Sequence, residues 1–557
     1  MIDGILRISR IGSGRDRSTC SRSLLLAALV VATCLPDAQA DDWPTFRHDG
    51  SRSGITKDTV ALPLSPCWIY RPLHNPQPAW GEPNPRPVGG WHGHTERRRF
   101  HFDDAFHVAA ADGSVYFGSS GDGRVVSLSA ETGQPKWHVS TGGPVRLAPH
   151  VWGGNIYVGS DDGQVYCLRS EDGGERWRFR AAPGKKQVLG SGKMVSLWPV
   201  RTGVLVDSGT AYFGAGIFPA EGVYMYAVDA NDGTLIWCND GGGAAPQSRI
   251  SPQGYLLASP ERLFVPLGRV SPAAFDRGDG RLLFEAYVEH IIGGTNATLS
   301  GDKLFTGTEQ MIGFDQASFR DQDGWFWSHQ LVVSPDVYFG ATGEELFAVN
   351  REGYGPASLR RKELLDQQRD LSRELARARG GPESKRQELQ RRMDTLTEQL
   401  KETKAALAAG ELWRVACDCE ESLILAGNFL LAGGDRKVLA FDAATGQMVW
   451  RGDVDGRARG LAVADGRLFV SCDTGVIYCF GPSDSAGCRV VEQHVEQSPF
   501  ADGELADVFE AAAERIIAKT GANRGYCLVL GCGTGRLAYE LAKRTQLHIC
   551  GIEQDPE

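Results

Sequence analysis

One module, written twice between Val115 and Trp177, limits what this chain can fold into more than any other feature. The first copy runs Val115-Tyr116-Phe117-Gly118, Asp122-Gly123, Val125-Val126-Ser127-Leu128, Thr132-Gly133 and Trp137. The second runs Ile156-Tyr157-Val158-Gly159, Asp162-Gly163, Val165-Tyr166-Cys167-Leu168, Asp172-Gly173 and Trp177. Each is a short β run, an Asp-Gly turn, a second β run, a glycine turn and a tryptophan, and the two tryptophans stand 40 residues apart. Glycine supplies the positive φ that such turns need. A period near 40 made of paired short strands indicates a propeller blade, because one module cannot bury its apolar face alone.

Further copies follow. Thr210 to Gly214, Val223 to Asp229, Asp232-Gly233 and Trp237 form the third, lengthened by an insertion that holds Gly190 to Trp198. Degraded copies start at Glu261, with Phe284 at the tryptophan position, and at Lys303, with Trp325 or Trp327 as the closing residue. Asp336 to Gly340 and Glu345 to Val349 begin a sixth, Ser422 to Asp442 with Trp450 makes a seventh, and Leu461 to Cys472 with Val476 to Phe480 makes the last. The reading is a mainly β, closed eight-bladed propeller over 41–485. Trp137, Trp177, Trp237, Trp413 and Trp450 are expected at equivalent positions between blades.

The period changes over 358–409. Leu364, Leu371 and Leu375 share one helical face, Gly380-Gly381-Pro382 breaks it, and Leu389, Met393, Leu396 and Leu400 repeat at helical spacing. This predicts two antiparallel helices in a coiled-coil hairpin. Gly410-Glu411-Leu412-Trp413 then supplies the delayed turn and tryptophan of the sixth module, so the hairpin interrupts a blade rather than separating domains. It is either a solvated surface excursion with its own apolar seam or an arm that docks a partner.

The first 40 residues read as a secretory signal. Five arginines up to Arg22 precede an apolar run from Leu24 to Leu35, and Ala38-Gln39-Ala40 is a small-x-small cleavage site. The run is too short for a stable membrane span, so the expected location is periplasmic or secreted. A formal charge of -10 gives no footprint for nucleic acid. Cys417-x-Cys419 is spaced too closely for the usual zinc pair and reads as structural. His92, His94, His101 and His107 cluster in sequence, but their spacing fixes no metal geometry.

Two stretches carry a family resemblance. Ala444-Thr445-Gly446 through Trp450, following Val438 to Asp442, resembles the repeat of quinoprotein-type (PQQ-like) propellers, a family that includes the outer-membrane assembly propeller lipoprotein. Trp43-Pro44-Thr45-Phe46-Arg47-His48-Asp49-Gly50 resembles the opening segment of secreted members. The resemblance implies that each repeat tryptophan docks on the neighbouring blade. Quinone-dependent dehydrogenases of the family hold their cofactor with adjacent cysteines, a stacking tryptophan and a calcium site of Glu, Asn and Asp. No adjacent cysteine pair exists here, and Asn296 and Asp315 are possible oxygen ligands without a specified third.

The region 500–557 has another character. A helical run from Asp502 to Lys519 precedes the strand run Tyr526 to Leu530, the loop Gly531-Cys532-Gly533-Thr534-Gly535, a second helical run, and a strand from His548 to Ile552 ending at Glu553. The order is that of a nucleotide-type crevice in a doubly wound α/β domain. Leu530, Gly531, Cys532, Gly533, Thr534, Gly535 and Glu553 resemble motif one and the following acid of S-adenosylmethionine-dependent methyltransferases. Two strands make at most a third of such a sheet, so methyl transfer is expected only if the chain continues. The functional expectation is therefore a secreted scaffold or binding platform, without quinone, that meets a protein partner through propeller loops or the hairpin. The alternatives are a methyltransferase fused to the propeller and a quinone-dependent dehydrogenase.

Overall fold

Among the described residues, apolar runs punctuated by glycine turns fold into six antiparallel four-stranded sheets in chain order. The computed structural model describes residues 42–81, 101–190, 192–241, 250–268, 270–285, 297–308, 310–319, 322–482, 487–493, 500 and 504–554. The expected signal segment 1–40, His92, His94 and Asn296 lie outside the described residues. The first sheet comprises Val108–Ala111, Ser114–Gly118, Arg124–Ser129 and Pro135–Ser140. Its first two strands are buried throughout, and its fourth alternates between exposed and half-buried residues. The same gradient recurs in the second sheet, from His150–Trp152 to Glu175–Arg180. Strands buried on both faces lose the alternation of a one-sided sheet, which is why the modules read as continuous apolar runs.

A larger sheet of eight strands joins the two ends of the propeller region. Met448–Ala464 pairs through its first part with Phe429–Asp442 and through its second with Arg467–Cys472. Leu64–Arg71, which precedes the first sheet in the chain, pairs antiparallel with Ile477–Pro482. Arg489–Glu492 then adds a parallel strand outside it. The mainly β chain, built of many small sheets, has a propeller-like architecture.

Tryptophans link successive sheets by one repeated contact. The indole N–H of Trp137 donates to the Ser170 carbonyl at 2.9 Å, that of Trp177 to Ala230 at 2.9 Å, and that of Trp237 to Arg277 at 3.0 Å. Trp413 donates to Ala443 at 2.9 Å and Trp450 to Leu64 at 2.9 Å. Trp68, which the module spacing does not reveal, donates to Ala130 at 2.9 Å. Except for Trp450, whose acceptor Leu64 begins the strand Leu64–Arg71, the acceptor lies in the turn of the next sheet, and the glycine of that turn lies against the indole face. A Cβ at Gly133, Gly173, Gly280 or Gly446 would come within 2.4 to 2.7 Å of the ring, and all four have φ between 70° and 74°. Glycine is needed there twice, for the turn and for the approach. The fifth sheet departs from the pattern: Trp325 donates to Gln310 of its own sheet, and Phe284 packs on Phe319.

Two helices, α1 (Arg351–Arg377) and α2 (Glu383–Ala409), stand between Glu345–Asn350 and Glu411–Ala416. Those strands still pair, with Val349 opposite Glu411. Asn350 caps α1 by accepting from Gly353 N at 3.0 Å. Leu364, Leu371 and Leu389 are buried, and Leu375, Met393, Leu396 and Leu400 are half-buried. The start of α1 is not a free surface excursion. Ser358 Oγ accepts from Trp325 N at 2.9 Å, and Leu359 and Leu365 pack against the core of the fifth sheet. An excursion from 358 onward, as the leucine spacing suggests, therefore misplaces its root.

Truncating a docked indole should be costly. Trp177→Ala is expected to lower unfolding free energy by about 3–5 kcal/mol through the lost side chain and the cavity left behind. Trp327→Ala, at a residue 53% exposed, should change it by less than about 0.5 kcal/mol. Urea unfolding of both variants measures the difference, and equal effects would contradict the docking role.

Candidate functional site at the propeller axis

The opening segment 43–56 touches the first strand, or its lead-in, in most of the sheets. Trp43 exchanges backbone hydrogen bonds with Ala110 at 2.7 and 2.8 Å, and Pro44 O accepts from Val151 N at 2.8 Å. Gly50 O accepts from Ala258 N at 3.0 Å, Ser51 O from Leu299 N at 2.8 Å, and Gly54 O from Leu425 N at 2.8 Å. Ile55 and Thr56 then pair in parallel with Leu425 and Ala426. One short segment can reach so many first strands only if those strands surround it. It satisfies backbone groups that would otherwise line an open channel.

Two arginines of this segment, Arg52 buried and Arg47 half-buried, lie at the same place. Arg47 donates to Leu331 O at 2.8 Å and Arg52 to Leu256 O at 2.9 Å. Arg52 also donates to Thr45 Oγ1 at 2.9 Å and Phe46 O at 3.0 Å. Burial lowers each guanidinium to about 10, which leaves both charged at neutral pH. Arg47, His48 and Arg52 adopt positive φ, a conformation the sequence could not announce in non-glycine residues. Phe46 stacks on Tyr255 with ring centroids 3.9 Å apart. Beside that stack a small cleft, open in part to solvent, is lined by Arg47, Arg52, Met311, His329 and Gln330 among others.

Buried charges lie around the lead-ins to the first strands. Arg146 binds Asp103 at 2.9 Å and Asp161 at 2.6 Å, and Arg201 binds Asp161 through two contacts of 2.9 Å. Burial acts to raise Asp161, but Arg146 and Arg201 hold it below the usual carboxylate range. Burial raises Asp103 despite its arginine. Sequence reading missed this group, although Pro144-Val145-Arg146 and Pro199-Val200-Arg201 repeat the same tripeptide before the first strands of adjacent modules. Arg459 pairs with Glu421 and approaches Asp104, which binds His101 at 3.0 Å.

His107 is buried beside this cluster, edge-on to Phe46 at 5.0 Å and Tyr255 at 6.3 Å. Neither of its ring nitrogens has a hydrogen-bond partner among the described residues. Of the four histidines close in sequence, His101 contacts the Asp104 carboxylate and His107 is a buried ring. Asp315 is also spoken for: its carboxylate accepts from Ala317 N, Ser318 N and Ser318 Oγ in a turn of the fifth sheet.

At the other candidate site, Arg524–Leu530 and Gln546–Ile552 pair in parallel, with Arg524 opposite Gln546 and Leu530 opposite Ile552. Helices α3 (Glu504–Thr520) and α4 (Arg536–Arg544) accompany them. The loop Gly531–Gly535 closes on the second strand: Gly531 N donates to Ile552 O at 2.8 Å, and Gly533 N to Glu553 Oε2 at 2.6 Å. Gly531, Gly533 and Gly535 all have positive φ, and a Cβ on any of them would meet nothing within 4 Å. These glycines serve the turn, not close packing. Cys532 also donates from its N–H to Ile552 O at 3.2 Å, and Thr534 lies in the turn before α4. Leu528 and Leu530 are 57% and 71% exposed, so the two strands bury little on that side.

The repeat and the sheets define the class as a PQQ-like repeat β-propeller. A family model described as outer membrane protein assembly factor BamB matches residues 95–214, 121–303 and 405–546, more than half of the chain, and the chain belongs to that family. Quinohemoprotein alcohol dehydrogenase ADH-IIG of Pseudomonas putida is 34% identical over 98 residues, 15% of this chain and 14% of that protein. The chain thus spans a small part of that curated relative. Among solved structures, BamB from Moraxella catarrhalis is 14% identical over 69% of this chain and 95% of its own, with a TM-score of 0.43. The quinohemoprotein alcohol dehydrogenase ADHIIG of Pseudomonas putida HK5 is 12% identical over 86% and 85%, with a TM-score of 0.49. No described helix is long and apolar enough to cross a membrane.

Burial lowers His107 to about 4, with Asp104 opposing and Arg459 assisting, against about 6.5 when unfolded. Its contribution to stability is present above about pH 6.5 and is lost as pH falls towards 4, because the unfolded chain then binds the proton first. His150, lowered to about 3 by burial and then Arg52, acts in the same sense. Glu421 is raised by burial and opposes them, so the informative quantity is the difference between proteins. His107→Leu should flatten the fall of the urea midpoint between pH 6.5 and 4.5, and an unchanged slope would exclude a neutral buried His107.

Proposed function

We infer that the chain is an exported, eight-bladed PQQ-like propeller that serves as a binding platform for a protein partner and holds no quinone. The observation that carries this reading is the filled axis. Residues 43–56 occupy it, Phe46 already stacks on Tyr255, and Arg47 and Arg52 spend their donors on backbone carbonyls. With neither an adjacent cysteine pair nor a free Asp315 carboxylate, the residues present do not fit a quinone and its calcium. Binding then falls to the loops that run between strands, where propellers carry variable function, or to the α1 and α2 arm. The BamB relation supports a role in assembly with other proteins.

Dividing the large sheet supports a count of eight. Phe429–Asp442 meets Ser422–Ala426 through 429–433 and Met448–Ala464 through 435–441, so it supplies two strands of a seventh blade. The second part of Met448–Ala464, Arg467–Cys472, Ile477–Pro482 and Leu64–Arg71 make the eighth. An export route agrees with the signal pattern of 1–40.

One observation favours a second reading. Glu553 accepts from the glycine loop, which sets an acid and positive-φ glycines together as a ribose-binding crevice requires. On that reading Gly531 to Gly535 and Glu553 would hold S-adenosylmethionine in a completed α/β domain, and the donor would supply the methyl group.

Absorbance titration of the purified chain with quinone and calcium should give no stoichiometric complex, and alcohols should reduce no dye through it. A one-to-one complex with alcohol-dependent dye reduction would overturn the platform reading. Photo-crosslinking residues at exposed Leu235, Leu412 and Met448 and on α2 should each be compared in the native cell envelope for a common adduct. Calorimetric heat with S-adenosylmethionine that vanishes in Glu553→Ala would establish the second reading.

A further inference from the structure

Cys417, Asp418 and Cys419 lie in the connection from Glu411–Ala416 to Ser422–Ala426. The two sulfurs and the Asp418 carboxylate all lie within 4.8 Å of one another. Cys419 is 0% exposed and Cys417 7%, whereas Asp418 faces solvent. Both sulfurs belong to an apolar cluster with Trp413, Leu423 and Leu425. Gly434 makes room for them, since a Cβ there would come 2.7 Å from Cys419 Sγ.

The donor chemistry selects the ligand. The Asp418 carboxylate is paired with Lys437 at 2.6 Å, which leaves two sulfurs as the available set. Zinc and other tetrahedral ions need four ligands, and the sequence spacing is too close for a zinc pair. Two buried thiolates suit a soft monovalent ion instead. We propose that Cys417 and Cys419 form a two-coordinate site for a soft monovalent cation of the copper(I) class. Each thiol releases its proton to solvent as its sulfur binds, so one ion displaces two protons and the complex carries one net negative charge. Lys437, paired with Asp418, lies beside the site. The apolar cluster around both sulfurs offers a harder ion few further ligands.

The full chain, reduced and held without oxygen, is titrated with copper(I) against a chromogenic copper(I) chelator. One tight equivalent is expected, and it should disappear in both Cys417→Ser and Cys419→Ser while surviving in Cys238→Ser and Cys488→Ser, whose sulfurs lie elsewhere on the surface. Zinc added at the same concentration should not displace the copper. Copper-edge X-ray absorption of the wild-type complex should show sulfur neighbours alone, a readout that holds even where a serine variant folds poorly. Retention of the tight equivalent in either variant, no tight equivalent in the reduced wild type, displacement by zinc, or a nitrogen or oxygen shell in the spectrum would each overturn the assignment.

Discussion

The propeller depends on one interaction repeated around it, the indole of one sheet laid on the glycine turn of the next. Apolar burial of a large ring supplies most of the energy. The N–H to carbonyl bond adds direction, because an indole that slid along its neighbour would leave a buried donor unsatisfied. The glycine turn makes the two compatible: it presents a carbonyl and has no side chain to keep the ring away. Trp68 extends this logic across the join between the ends of the propeller. It sits in Leu64–Arg71, completes the sheet begun by Met448–Ala464, and docks on the turn at Ala130 and Gly133. A strand from before the first module therefore locks the last sheet to the first, so unzipping from either end must break a sheet ladder as well as an indole contact.

The axis obeys a different constraint. First strands arranged about a centre leave backbone groups facing inward, and the segment 43–56 meets them with its own backbone and two guanidiniums. The bonds it makes are irregular, one or two to each sheet, which is why three of its non-glycine residues adopt positive φ. Such strain persists only where the surroundings over-determine it. The buried Arg146, Asp161 and Arg201 group serves the same region from outside the segment and ties two adjacent lead-ins through one carboxylate.

Much of the fold is legible in the sequence because a propeller is periodic and each module repeats its turn chemistry. The two clearest copies, with their Asp-Gly and glycine turns, locate strands as far away as Trp450. The parts that are not legible are those that break the period. Trp68 lies outside any module spacing. The fifth sheet replaces the indole contact with Phe284, Phe319 and Trp325, and α1 docks there through Ser358, a residue the leucine stripe leaves out. The axial residues are scattered from Arg47 to Arg459, and only the repeated Pro-Val-Arg tripeptide hints that Arg146 and Arg201 share a place. The Gly531 to Glu553 relation is legible because strand, loop and acid follow one another in the chain, so local order alone brings Glu553 to Gly533 N.

The axial arginines also bear on how the segment is held. A guanidinium whose pKa falls on burial is less comfortable in the folded state than in water, so Arg47 and Arg52 reduce stability through their charge at neutral pH. Hydrogen bonds to carbonyls offset that cost, yet a well-packed apolar segment could fill the same space without it. What arginine provides instead is reach and direction. Its fork of donors takes carbonyls from several chain segments at once: Arg52 meets Leu256, Phe46 and Asp49, and Arg47 meets Leu331, Leu423 and Ser53. An apolar plug could slide or rotate in the channel, whereas these bonds fix one register of the segment against particular strands. That fixed register is what the two guanidiniums add over an apolar filling.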